Sequence, residues 1–143
     1  MTFTRSLAAG AMFAGLALVL TAPISAADPL NGHYIEAETL PDGHTTNTDW
    51  YFTPCGDGCA SVANTPAGQS FGQANLINGQ WTLDHSGGVD CEEGGDVPNA
   101  IHVHYSWDPN SLAGTVKITN NVQACGNPSG YQETNQTQLT QAS

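Results

Sequence analysis

Beyond residue 27 the chain is built from short stretches in which apolar and polar side chains alternate, recurring at intervals of roughly ten residues. A period of two sends successive side chains to opposite faces of a strand. In "DWYFT", Trp50 and Phe52 share one face and Tyr51 takes the other. In "AIHVHYSW", Ile101, Val103, Tyr105 and Trp107 share a face, leaving His102, His104 and Ser106 opposite. In "TVKIT", Val116 and Ile118 oppose Lys117. The pattern predicts strands over 32–39, 47–53, 59–64, 70–77, 79–84, 100–107, 113–119 and 130–139. No stretch carries a convincing helical period, and helix formers are sparse beside Ser, Thr, Asn, Gln and Gly. The expected fold class is all-β.

The joints are legible too. Asn78-Gly79 in "INGQW" readily takes the positive φ angles of a tight hairpin turn. "PDGH" at 41–44 and "WDPNSLAG" at 107–114 hold further turn residues. "HSGGVDCEEGGDVPN" at 85–99 reads as the one long irregular segment. The closing "YQETNQTQLTQAS" is polar and reads as a weak edge strand or a fraying tail. No internal repeat, linker or second domain is visible. Sheets of this kind hide their edges by closing into a barrel or by packing two sheets together. The short successive connections favour a single small antiparallel β-barrel over a sandwich, with about seven or eight strands.

The first 27 residues differ from the rest. Arg5 precedes an apolar run, Leu7–Leu20; Pro23 and the small residues Ser25, Ala26 and Ala27 follow. This is the pattern of a cleaved signal peptide over 1–27, leaving a single secreted domain over 28–143. The run is shorter than the ~20 residues a spanning helix needs, so no membrane span is expected after cleavage. Arg5 lies in the leader, so Lys117 alone faces all 13 acidic residues in the domain. With no basic patch to displace counterions, nucleic acid is excluded as a partner and an anionic membrane surface is disfavoured. Such a charge suits a soluble monomer, and it also suits a cationic ligand or metal ions.

Export places Cys55, Cys59, Cys91 and Cys125 in an oxidising space, where an even count argues for disulfides. The expected pairs are Cys55–Cys59 and Cys91–Cys125. Gly56-Asp57-Gly58 between strands 47–53 and 59–64 reads as a three-residue hairpin loop, with its final glycine in the left-handed region. That loop brings Cys55 and Cys59 across the ladder within bridging distance. A redox pair usually has two intervening residues and an activating cation. A zinc site needs further ligands at short spacing. The short ring therefore reads as a structural staple. The larger bridge would tie 85–99 to the turn before the last strand.

His102 and His104 project from one face of a strand, and two imidazoles so placed can share a metal ion. His33, His85 and Asp84 are candidate third ligands. Asp90, Glu92, Glu93 and Asp96 gather oxygen ligands of the kind Ca²⁺ takes, but without the spacing of a calcium loop. They read as a solvated acidic loop held by Cys91. No Gly-x-Ser-x-Gly, no free nucleophilic cysteine and no phosphate-binding glycine loop is present. Trp50, Trp81, Trp107, Tyr105 and Phe71 read mostly as core. A closed sheet of this size is expected to be mostly filled, with room for at most a small apolar ligand.

The segments "TDWYFTPCGDGCASV", "NGQWTL", "DCEEG" and "WDPNSLAGTVKIT…ACGNPSG" resemble a group of small secreted mycobacterial and related actinobacterial β-domain proteins. They are also similar to extracellular sensor regions of some mycobacterial serine/threonine kinases. The match spans residues 47–128. The resemblance implies an exported, disulfide-linked β domain in the cell envelope or medium, and it implies no catalytic residues. The chain has no kinase segment, so sensing would need a separate partner. The expected function is a secreted, non-enzymatic β domain without a cofactor, binding a small ligand or protein partner in the envelope or host environment. The alternative is an extracellular metal-binding protein using His102 and His104.

Overall fold

The alternating stretches form eight antiparallel strands: β1 (Gly32–Thr39), β2 (Thr45–Gly56), β3 (Cys59–Ala63), β4 (Ser70–Ile77), β5 (Gln80–Asp90), β6 (Asp96–Trp107), β7 (Ala113–Asn120) and β8 (Gln132–Gln141). This computed structural model describes residues 27–143; the expected signal peptide over 1–27 lies outside the described residues except for Ala27. Each strand pairs with the next, and β8 returns to β1 from Tyr34↔Gln141 to Thr39↔Gln136. The sheet is thus a closed barrel, not a sandwich. Closure leaves no edge strand with unpaired backbone groups. Among the described residues no helix is long and apolar enough to cross a membrane.

Closure corrects the reading of the polar C-terminal stretch. β8 is neither an edge nor a fraying tail, because it is laddered to both β7 and β1. Asn135, Thr137 and Leu139 face inward at alternate positions and are buried. A sequence poor in apolar residues is held here by two ladders rather than by its own hydrophobicity.

The segment 85–99 also departs from expectation. It is a long hairpin: β5 runs on to Asp90 and β6 starts at Asp96. His85↔Val103, Ser86↔His102 and Val89↔Val97 continue the ladder, with a register shift between Gly87 and Val89. Cross-strand pairing supplies the order that local propensity lacks. The β2–β3 turn is tighter than expected. Asp57-Gly58 form a two-residue turn, Gly56 pairs with Cys59, and the register shifts between Pro54 and Gly56. Gly58 does take positive φ, at 63°. Asn78 and Gly79 make their turn at φ 50° and 77°.

Both expected disulfides are present. Cys55–Cys59 and Cys91–Cys125 each bring their Cα atoms to 5.1 Å. The first staples the β2–β3 hairpin. The second joins the tip of the β5–β6 hairpin to the loop between β7 and β8, and such bonds belong to an oxidising compartment.

The barrel has two unlike ends. The lower end carries the turns at 57–58 and 78–79 and the β6–β7 connection. It is sealed by Leu30, Trp81 and Trp107, all buried in one cluster. Above them lie Phe52, Tyr34, Val62, Leu83, Val116 and Leu139. The faces read from the sequence hold: Trp50 and Phe52 are buried, as are Val103, Tyr105 and Trp107. Tyr51 stacks outside on His33, with centroids 4.5 Å apart. Toward the upper end, where the turns after β1, β3 and β5 gather, the filling becomes polar and incomplete.

Candidate ligand cavity at the upper end

Tyr34, Glu36 and Glu38 alternate along β1, so the period that buries Tyr34 also turns both carboxyl side chains inward. Glu36 sits level with Thr48 on β2 and Leu139 on β8. Phe71 on β4 would point outward in a regular ladder. However, Gly72 pairs with Val62 and Ser70 with Ala63, which leaves Phe71 as the extra residue of a bulge. Bulges re-aim side chains in this way. Phe71 packs on Trp50 at 5.5 Å between centroids and on His85 at 5.3 Å.

Together Glu36, Glu38, Thr48, Trp50, Asn64, Phe71, His85 and Tyr105 line an open cavity of about 280 Å³. Its floor is aromatic. Trp50 meets Tyr105 edge-on at 5.1 Å and Trp107 at 5.9 Å, and Tyr105 stacks on Trp107 at 5.2 Å. Its polar lining is Glu36 and Glu38 on β1, Thr48 on β2, Asn64 after β3 and His85 on β5, and side chains of β8 hydrogen-bond to the two carboxyls. Trp107 Nε1 donates to Thr137 Oγ1 at 3.4 Å, and Thr137 Oγ1 donates to Glu36 Oε1. Asn135 Nδ2 donates to Glu38 Oε1 at 2.6 Å, while Asn135 Oδ1 is buried with no donor.

Glu36 is only 2% exposed. Burial pushes its carboxyl up to about 7; the Thr137 hydroxyl pulls against this and the Glu38 charge adds to it. Burial also pushes the Tyr105 phenol up, aided by Glu36 and Glu38, and pushes the His85 imidazole down. No fixed positive charge offsets the carboxylates. Lys117, the one Lys or Arg among the described residues, is exposed on β7 level with His104, on the outer face.

Glu36 makes stability depend on pH. Its folded value lies above its ordinary one, so the folded chain holds a proton that the unfolded chain gives up. Stability should therefore fall as pH rises from about 4.5 to about 7, then level off. Glu36→Gln should remove that slope and exceed the parent at pH 8 by about 1–2 kcal/mol, allowing for solvent screening in an open cavity. Urea melts at pH 5 and pH 8 test this. Parallel losses in the two proteins would show that Glu36 is not strained.

Of the residues singled out for metal, only His85 lines this cavity. His102 and His104 do share the outer face of β6, and Asp84 on β5 lies beside them. Asp84 Oδ1 accepts from His102 Nε2 at 3.0 Å and from His104 Nδ1 at 2.8 Å. His85 points into the barrel, and His33 pairs with Asp49 at 2.7 Å on the outer face of β1 and β2. Among the described residues no three His, Cys, Asp or Glu side chains are arranged to hold a metal ion. Asp90, Glu92 and Glu93 line a separate cleft beside Cys91 and Cys125. The sequence reading missed Glu36, Glu38, Asn135 and Thr137. For the first two a signal was present, since Tyr34-x-Glu36-x-Glu38 places two carboxyls in phase with a large aromatic.

No family model matches this chain, and comparison with curated proteins and with solved structures gives no match.

Proposed function

We propose that this chain is an exported, non-enzymatic barrel that holds a small organic ligand in the cavity at its upper end. One observation carries the reading: a buried carboxyl lines an open cavity with an aromatic floor. Burying Glu36 costs stability that an apolar side chain at the same position would not. Residues held at such a cost mark functional sites. The lower end is sealed, so the cavity has one entrance, as in other small barrels that carry ligands. The disulfides and the apolar leader support a setting outside the cytoplasm.

The test is native mass spectrometry of the mature protein recovered from the medium of cells that naturally secrete it. An organic-sized mass excess is expected, and Thr48→Trp, which fills the mouth, should abolish it. Absence of any excess, or an excess that survives Thr48→Trp, would remove the cavity as the site.

A further inference from the structure

The chemistry lining the cavity is one-sided. Two carboxyl side chains on β1 face it, about 7 Å apart along the strand. No Lys or Arg among the described residues faces it. His85, from β5, is held toward its neutral form by burial. Tyr105, from β6, is held neutral by burial and by the same carboxylates. β2, β3 and β4 contribute only Thr48, Trp50, Asn64 at the end of β3, and Phe71, none of which titrates. From β8, Asn135 and Thr137 donate to the carboxyls, while Glu133 lines a different cleft. The carboxyls therefore receive hydrogen bonds but no counter-charge.

We infer that the cavity takes a compact protonated amine bearing an apolar or aromatic group, with its ammonium on Glu36 and Glu38 and its apolar part against Trp50, Phe71 and Tyr105. This rests on the cavity being the ligand site. Two independent features point the same way. An ammonium is the counter-charge the two carboxyls lack, and a desolvated ion pair with several donors is strong. The faces and edges of Trp50, Phe71 and Tyr105 offer cation–π and apolar contact. A carboxylate ligand would find no cation to pair with among these carboxyls, and at pH 8, where Glu36 is ionised, it would be repelled. A neutral ligand would leave their charge uncompensated. The volume of about 280 Å³ limits the ligand to a small molecule. The net charge of −11 raises the local concentration of cations.

Binding should also expel a proton. An ammonium favours the ionised Glu36 carboxyl, which holds a proton near neutrality when the cavity is free. Affinity at pH 6 should be about tenfold weaker than at pH 8.

The probes are phenethylamine, 2-phenylethanol and 3-phenylpropionate, titrated calorimetrically into the mature, disulfide-bonded protein at pH 6 and pH 8. The amine should bind at least tenfold more tightly than the alcohol, with proton release near pH 7, and the acid should not bind. Glu36→Gln and Glu38→Gln should each bring the amine down to the level of the alcohol while keeping a cooperative melt. Equal binding of amine and alcohol, blocked by Thr48→Trp, would overturn the amine inference and leave the cavity as a general ligand site. Failure of all three probes beside a persistent mass excess in the secreted protein would also overturn it. Failure of the probes with no mass excess would overturn both readings.

Discussion

Gly114→Ala should unfold the barrel or cost it about 3 kcal/mol or more, the largest effect expected of any single methyl group in the chain. Gly114 lies on β7 opposite Trp107, beside the β6–β7 connection at the lower end. A Cβ built there falls 1.7 Å from the Ser106 carbonyl oxygen, 2.7 Å from its carbon and 2.9 Å from Trp107 Cα. All three are backbone atoms of the neighbouring strand, so no rotamer change relieves the overlap. The strands must separate, and the buried Trp107 beside them must move. Its indole is stacked on Tyr105 and edge-on to Trp50, so the disturbance would reach the cavity floor. Urea unfolding followed by tryptophan fluorescence measures the loss. A change under 1 kcal/mol would mean that the strands are not so close.

Removing the longer disulfide should cost a similar amount. Cys91 and Cys125 are 34 positions apart, and Cys55 and Cys59 only 4. In the chain-entropy account, closing the larger ring removes about 4 kcal/mol of unfolded-state freedom, and the smaller about 2 kcal/mol. A domain of this size has roughly 5–15 kcal/mol in all, so the larger loss is a substantial fraction. Cys91→Ser with Cys125→Ser should therefore lower the urea midpoint well below that of Cys55→Ser with Cys59→Ser. The difference should also appear at the upper end. Without the bridge, nothing covalent joins the tip of the β5–β6 hairpin to the β7–β8 loop, and amide exchange there should accelerate first. Equal costs for the two double variants would show that unfolded-state entropy is not what the bridges control.

Much of the barrel wall is written locally. Trp50 and Phe52 point together because a strand has a period of two, and that holds whatever the strand pairs with. Asn78-Gly79 makes its turn because both residues tolerate positive φ. Cys55 and Cys59 meet because a short hairpin joins them. The same locality hid the β5–β6 hairpin. Glycines and acids at 85–99 have low strand propensity, and only pairing with the opposite strand and the Cys91 bridge order them. It also hid Phe71, whose inward turn depends on a bulge set by how β3 and β4 pair.

By itself the sequence determined the all-β class, the faces of most strands, the disulfide pairs and the predominance of acid over base. Each depends on residue type and near-neighbour spacing. Only the tertiary structure decided that the sheet closes, because β1 and β8 meet through residues far apart in the chain, and no local pattern encodes that encounter. Closure in turn decided the chemistry. Glu36 and Glu38 on an open sheet would face solvent on one side and be ordinary surface acids. Inside a barrel the same face becomes an interior, and two unremarkable glutamates become a buried carboxyl and a half-buried one over an aromatic floor. The difference is desolvation, which depends on what surrounds a side chain from every direction and so belongs to the fold as a whole.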